Sequence, residues 1–317
     1  MTHFPVLLEL VVGQRSDDGH RPISLAEADS IAALAQQVGV AALRLLDGAP
    51  GGHTLDPTVV GAYLAGRYGD IGYLADIPTT SNAPYNVARR VLSADRATAG
   101  RFGVALRVGG GDEISDALVP DPTATDPGQR WTEYAEVLVR LWESFPRRAL
   151  IGDQERAVVA DDTLIRPIAH EGRFYQVAGT LNGPSSVQGR PVLLAADLDV
   201  LDFVAVAPWV DAVVVERERA ADADAALTAA LRQAGRARAD VALIGRTAVP
   251  AGDDRLSGED LAAWVSETAL DGVALAPLGG AEQVTALLHA LGRELGSARG
   301  RTLRARLGLR DSVEAAA

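Results

Sequence analysis

Short apolar runs recur along the chain, and between them lie stretches whose apolar residues repeat at helical spacing. Val6 to Val12 is apolar except for Glu9 and reads as a buried strand, ended by Gly13 and the polar loop Ser16-Asp17-Asp18-Gly19-His20. Ser24-Leu25-Ala26-Glu27 has the spacing of a capping box, and Ile31, Leu34 and Ala35 carry a helix on from it. Val40 to Leu46 is a second strand closing on Asp47, Pro57 opens a helix with Val60, Tyr63 and Leu64 on one face, and Ile71 to Ile77 is a third strand. Phe102 to Val108, Val192 to Ala196, Ala212 to Val215, Val241 to Ile244 and Gly272 to Ala276 continue the series, with helices expected across Ala221 to Gln233 and Gly258 to Thr268. Strands and helices alternating roughly every 30 to 40 residues point to parallel βα units. Eight such strands close a (β/α) barrel, and an open doubly wound sheet is the alternative.

The alternation is interrupted between the fourth and fifth strands. Gly110 to Gly128 is acidic, contains prolines and reads as a long loop; Arg130 to Trp142 is an amphipathic helix with Trp131, Tyr134, Leu138, Leu141 and Trp142 as its apolar residues. Arg173-Phe174-Tyr175-Gln176-Val177 has the mixed pattern of a half-buried strand, followed by turns at Gly179, Asn182-Gly183-Pro184 and Gly189. Val192 to Ala196 has no polar alternation, as expected for a parallel strand covered on both faces. The expected fold is therefore α/β: one TIM-type (β/α)8 barrel domain across residues 1–317, with a long loop after strand 4 and an extended insertion before strand 5.

Composition narrows the function. The chain has 317 residues, 48% of them hydrophobic, enough for a large core. Its 30 basic residues, all arginine, against 42 acidic ones give a net charge of -12, which disfavours nucleic acid and anionic membranes as partners. The absence of cysteine rules out disulfides, thiolate metal sites and a thiol nucleophile. The apolar run from Phe4 to Val12 is too short to span a bilayer and lacks a basic flank, so a cytoplasmic location is expected.

Several motifs occur in a family-specific order. His170 to Leu181 reads H-x-G-x-F-Y-x-V-x-G-x-L, then come Pro184, Gln188 and Gly189-Arg190-Pro191-Val192. Pro84-Tyr85-Asn86-Val87-Ala88-Arg89 precedes Ala94-Asp95-Arg96-Ala97-Thr98-Ala99-Gly100-Arg101, and the chain closes on Thr302-Leu303-Arg304-Ala305-Arg306-Leu307-Gly308-Leu309. From about Leu55 to Leu309 this order resembles the bacterial luciferase-like flavin monooxygenases, in the branch of the nitrilotriacetate and dibenzothiophene-sulfone monooxygenases. The resemblance implies reduced FMN supplied by a separate reductase, a small organic substrate and a homodimer. It places the flavin at the C-terminal mouth of the barrel, near Asp47 after strand 2, Thr79 and Thr80 after strand 3, Val108 at the end of strand 4, and Ala196, Asp197 and Leu198 after strand 5. It assigns no catalytic residue here.

The flavin positions depart from the family pattern. Where the family carries Q-A-G-x-S for the phosphate, this chain has Ala195-Ala196-Asp197-Leu198-Asp199, and carboxylates repel a dianion. The family's Asn, Thr and Ser along strand 4 are also missing from Gly100 to Gly109, so weak or absent FMN binding is expected, with Arg107 the one nearby cation able to offset the acids. Asp197 and Asp199 read either as a catalytic carboxylate pair or as a helix N-cap and its neighbour. Asp95 and Arg101 read as scaffold contacts at a helix end, and the aromatics of the Arg130 helix as core. His20, His53 and His170 are candidate bases whose alternative is a solvated or scaffold histidine. No metal-ligand spacing occurs. Three functions stay open: a reduced-FMN monooxygenase, a hydrolase or isomerase re-using the mouth, and a flavin-free paralogue that pairs with an active homologue.

Overall fold

The computed structural model describes residues 4–13, 23–48, 54–110, 118–250, 256–292 and 300–310. His20, His53 and the glycine-rich turn at Gly111-Asp112 lie outside them. Eight parallel strands form a closed barrel: β1 (Val6–Val11), β2 (Ala42–Leu46), β3 (Gly72–Pro78), β4 (Phe102–Arg107), β5 (Val192–Ala195), β6 (Ala212–Glu216), β7 (Ala242–Pro250) and β8 (Gly272–Leu278). Neighbours in sequence are neighbours in the barrel, and β1 pairs with β8 to close it. The barrel, rather than the open sheet, is thus the architecture.

The connecting helices start where the sequence signals them. Helix α1 (Leu25–Val38) has both halves of the Ser24/Glu27 capping box and ends on Gly39 in the left-handed region at φ 87°. Helix α2 (Pro57–Ala65) is capped by Asp56, and α3 (Pro84–Ala97) begins on its proline. Helix α4 (Pro127–Glu143) packs Trp131, Tyr134, Leu138 and Trp142 into the core; the Trp131 indole donates to the Leu106 carbonyl and Trp142 to that of Ala88. These aromatics are core, not a platform for a ring system. Helices α5 (Phe203–Val206), α6 (Ala223–Gln233), α7 (Gly258–Glu267) and α8 (Ala281–Leu291) follow β5 to β8 in turn, and the short α9 (Leu303–Arg306) comes after them.

Between α4 and β5 the insertion holds two short hairpins, Leu150–Asp153 with Val158–Ala160 and His170–Glu171 with Gln176–Val177. The expected strand over Arg173 to Val177 is thus only Gln176–Val177, because Glu133 of α4 takes the preceding residues into a turn. Its carboxylate accepts the backbone N–H groups of Arg173 (3.0 Å), Phe174 (3.0 Å) and Tyr175 (2.7 Å), and it lies 3.1 Å from His170 Nε2. A carboxylate satisfied by several backbone donors anchors a loop more firmly than apolar contact alone. Gly172 is required beside it, since a Cβ there would collide with Glu133 Oε1. The H-x-G-x-F-Y motif is therefore a carboxylate nest, and His170 is a scaffold residue.

Inside the barrel, side chains alternate strictly. Leu7, Ala42, Leu74, Ala105, Leu194, Ala212, Ala242 and Ala274 share the lumen cluster, which Leu303, Leu307 and Leu309 plug at the N-terminal end. Asp95 and Gln188 lock that end. Gln188 Nε2 donates to Asp95 Oδ1 (2.8 Å) and to the Phe102 carbonyl (3.1 Å), while its Oε1 accepts the Arg304 N–H (3.2 Å). Motifs far apart in sequence thus meet in one weld, with Asp95 as scaffold.

Burial raises the Asp95 pKa to about 6 despite these hydrogen bonds. The folded state therefore holds a proton that the unfolded chain has released between about pH 4 and pH 6, and the stabilisation from that proton is lost as pH rises through this window. Urea unfolding of wild type and Asp95→Asn should show the variant gaining up to about 3 kcal/mol relative to wild type between pH 4 and pH 7. A difference independent of pH would contradict this assignment.

Candidate functional site at the barrel mouth

The period-2 alternation that fills the lumen with small apolar residues also places one charged residue on each of six strands in the layer above them. Glu9 follows Leu7, Arg44 follows Ala42, Asp76 follows Leu74, Arg107 follows Ala105, Glu216 follows Val214 and Arg246 follows Ile244, each two residues on and so on the same face. Register puts Glu9 beside Arg44 and Glu216 beside Arg246 on adjacent strands. Arg246 pairs in register with Ala274 of β8, whose small side chain leaves room for it to reach Glu9 on β1.

The result is one alternating chain of ions around the mouth. Arg246 Nη1 donates to Glu216 (3.2 Å) and its Nε to Glu9 (2.9 Å); Arg44 Nη1 donates to the other Glu9 oxygen (2.7 Å). Arg44 also grips Asp76 through two bonds, Nε to Oδ1 (2.8 Å) and Nη2 to Oδ2 (3.1 Å). Arg107 continues the chain, donating from Nη1 to Asp76 (3.1 Å) and from Nε to both oxygens of Asp197 (2.6 and 2.9 Å). Arg44 is 3% exposed and the Asp76 side chain fully buried, so neither charge is tolerable alone. Burial opposes the Arg44 charge, but Asp76 and Glu9 outweigh it and raise its pKa above the ordinary arginine value.

The predicted site residues do not all come together. Val108 and Asp197 meet directly, the Val108 N–H donating to Asp197 Oδ2 at 2.6 Å. Ala196, Asp197 and Leu198 line a mouth cavity of 370 Å³ together with Asp199, Glu9, Arg44, Arg107, Arg219, Glu216 and Arg246. Thr79 and Thr80 turn to their own surroundings: Gly109 N–H donates to Thr79 Oγ1 (3.2 Å), Tyr175 Oη to the Thr79 carbonyl (3.0 Å), and Asn82 to the Thr80 carbonyl (3.2 Å). Asp47 is exposed and accepts from Thr54 Oγ1 at 3.4 Å. Neither it nor the two threonines line the cavity. Among the described residues no group of His, Asp and Glu is arranged to hold a metal ion.

Asp197 is not a helix N-cap. The short helix α5 is capped by Asp202, whose carboxylate takes the Ala205 N–H at 2.7 Å, and the N–H groups of Val200 and Leu201 close a turn onto the Asp197 carbonyl. This bears on the flavin phosphate expected after β5. The Val200 and Leu201 N–H groups are already taken, Arg107 is held by Asp76 and Asp197, and Asp199 and Asp202 are exposed carboxylates beside the same turn. Two unit charges of like sign 5 Å apart cost about 3 kcal/mol at an effective dielectric near 20. The residues present do not fit an FMN phosphate in the position the sequence resemblance implied.

Glu9, Arg44, Asp76, Glu216 and Arg246 were not candidates on sequence grounds. Their common signal is visible in retrospect: each is an isolated charge in an apolar strand, with the parity of the lumen-facing residues.

A closed parallel barrel with its functional layer at the C-terminal mouth is the architecture of a large class of enzymes. Within it, the family model for luciferase-like monooxygenases matches residues 5–313, and the chain belongs to that family. It is 29% identical over 168 residues to the dibenzothiophene-sulfone monooxygenase of Rhodococcus erythropolis, a match covering 52% of this chain and 37% of that one. It is 30% identical over 158 residues to a subunit of pristinamycin IIA synthase from Streptomyces pristinaespiralis, covering 47% and 52%. The chain therefore matches only part of the length of these relatives. Among solved structures, the long-chain alkane monooxygenase LadA superposes with a TM-score of 0.79 at 16% identity, over 98% of this chain and 97% of that one, which supports the fold.

Replacing Asp76 by Asn should leave the buried Arg44 with Glu9 as its one remaining acid and cost about 3–5 kcal/mol in urea unfolding, whereas Asp76→Asn combined with Arg44→Met should recover much of the loss. A single variant within about 1 kcal/mol of wild type would show that the ion chain is not a coupled unit.

Proposed function

We propose that this chain serves reduced-flavin monooxygenase chemistry as a cytoplasmic subunit that does not itself hold FMN at the family's phosphate position. The single observation carrying this is the commitment of Arg107. Of the two arginines lining the mouth beside the end of β5, Arg107 is bonded to Asp76 and Asp197 and Arg219 donates to the Leu198 carbonyl, in a mouth where Asp199 adds negative charge. Family membership supports the chemistry, and a relative named as one subunit of a synthase supports a paired assembly, with a flavin-bearing homologue as partner and a separate reductase in the system. Among the described residues no helix is long and apolar enough to cross a membrane.

A second reading follows from the family alone: the chain binds reduced FMN and oxygenates a small organic molecule itself, as a homodimer. The match over residues 5–313 favours it, and the ion chain opposes it. The hydrolase or isomerase reading loses its basis, since Asp197 is ion-paired to Arg107 and does not form a free carboxylate pair with the exposed Asp199.

Fluorescence titration of the purified wild-type chain with oxidised FMN, and anaerobically with reduced FMN, distinguishes the two. The proposal expects no saturable binding up to about 1 mM, equivalent to less than about 4 kcal/mol of binding free energy. Micromolar binding of either form would establish the second reading instead.

A further inference from the structure

The opposite end of the barrel holds a second cluster of charge that neither the fold nor the mouth requires. In a chain of net charge -12, Arg101, Arg190, Arg236, Arg304 and Arg306 gather at the N-terminal ends of the strands and on the closing helix α9. Asp211 is the buried carboxylate at its centre, 1% exposed. Its Oδ1 accepts from Arg190 Nη2 (2.9 Å) and Arg304 Nη1 (3.0 Å), and its Oδ2 from the Leu193 N–H (3.0 Å). Arg236 also faces this group but spends its donors on the carbonyls of Ala207 (2.6 Å), Val210 (2.8 Å) and Asp240 (3.2 Å). Burial lowers the Arg236 pKa, and Arg190 and Arg304 add to the lowering while Asp211 opposes it.

Donors remain once Asp211 is satisfied. Arg304 is 7% exposed, yet its Nε and Nη2 have no partner; Arg190 Nη1 and the Trp209 indole N–H are likewise buried and unpaired. Arg190 Nη2 approaches the Trp209 carbonyl at 3.4 Å, tying that residue to the cluster. Of the nearby carboxylates, Asp95 is bonded to Gln188 through Oδ1 and its Oδ2 makes no bond to these arginines, and Glu143, 3.7 Å from Arg190 Nε, is mostly exposed. Buried guanidinium groups without acceptors cost more than an ordinary lost hydrogen bond, so such a set is unusual in a stable core.

The Nε and Nη2 of a guanidinium lie along one edge and present two parallel N–H bonds, the geometry that matches two oxygens of a planar or tetrahedral anion. We propose that the N-terminal pole binds a small oxyanion, a phosphate or a carboxylate group, on the buried, unpaired Nε/Nη2 edge of Arg304, with Arg190 Nη1 and the Trp209 indole as further donors. The ligand bridges Asp211's two arginines from the side that Asp211 leaves free, and it ties α9 to the strand ends beneath β5 and β6. This site is independent of the mouth and of whether flavin binds there.

Thermal unfolding of the wild-type chain in inorganic phosphate, in acetate and in chloride at matched ionic strength tests it. The proposal expects a saturable rise in Tm with phosphate or acetate over chloride, the stronger of the two identifying the anion class. Arg190→Lys keeps a cation beside Asp211 while removing Nη1, and Trp209→Phe removes only the indole donor; each should raise the half-saturating concentration about tenfold with the circular dichroism unchanged. No rise above chloride, or identical half-saturation in both folded variants, would overturn the site and leave the donors to ordered water.

Discussion

The architecture of the mouth depends on one constraint: a carboxylate as deeply buried as Asp76 must be paired on more than one side. Arg44 holds it from β2 and Arg107 from β4, and each arginine in turn needs a second acid, Glu9 for one and Asp197 for the other. Removing water from ions of this size costs several kcal/mol each, which attraction offsets only when geometry and hydrogen bonding are nearly complete. The bidentate contact of Arg44 with Asp76 and the Arg107 Nε–H shared between both Asp197 oxygens supply that geometry. The chain of ions accordingly behaves as a fixed plug, and the cavity it lines is polar and closely determined.

This constraint separates fold from function. The barrel outside the lumen is held by apolar packing of helices on strands, and the pole opposite the mouth by the Asp95, Gln188 and Arg304 contacts. The two sets meet the mouth lining only at Leu198, so the mouth is free to diverge while the motifs that define the family persist. A chain can then keep the H-x-G-x-F-Y nest around Glu133 and the closing T-L-R helix, and still replace the donors a flavin phosphate needs.

Most of the fold was legible because its signals are local or periodic. Ser24 and Glu27 marked a helix start that the structure reproduces, and the apolar runs located all eight strands to within a few residues, β7 alone running well beyond its expected end at Ile244 to Pro250. The expected strand across Arg173 to Val177 was shortened by a tertiary contact, Glu133 capturing three backbone N–H groups, which no local pattern encodes. The mouth was only half legible. The departure at Asp197 was visible, and so was Arg107 as the nearby cation, but their pairing joins residues 90 apart in sequence. Glu9, Arg44, Asp76, Glu216 and Arg246 escaped notice because a single charge in a buried strand acquires meaning only when its neighbours on adjacent strands are known. Thr79 and Thr80 kept the residue types expected near a flavin, yet they bond to the adjoining loops.

The central claim is that Asp197 and its neighbours, by occupying Arg107, close this mouth to FMN. FMN affinity of an Asp197→Gly, Leu198→Ser, Asp199→Ser variant, compared with wild type at neutral pH, tests it most directly. Releasing Arg107 from one acid, removing a second and adding two hydroxyl donors should strengthen binding by at least about tenfold, a change of about 1.4 kcal/mol. Equal affinity in the two proteins, or tight binding by the wild type, would show that the phosphate is held elsewhere and that the ion chain does not exclude the flavin.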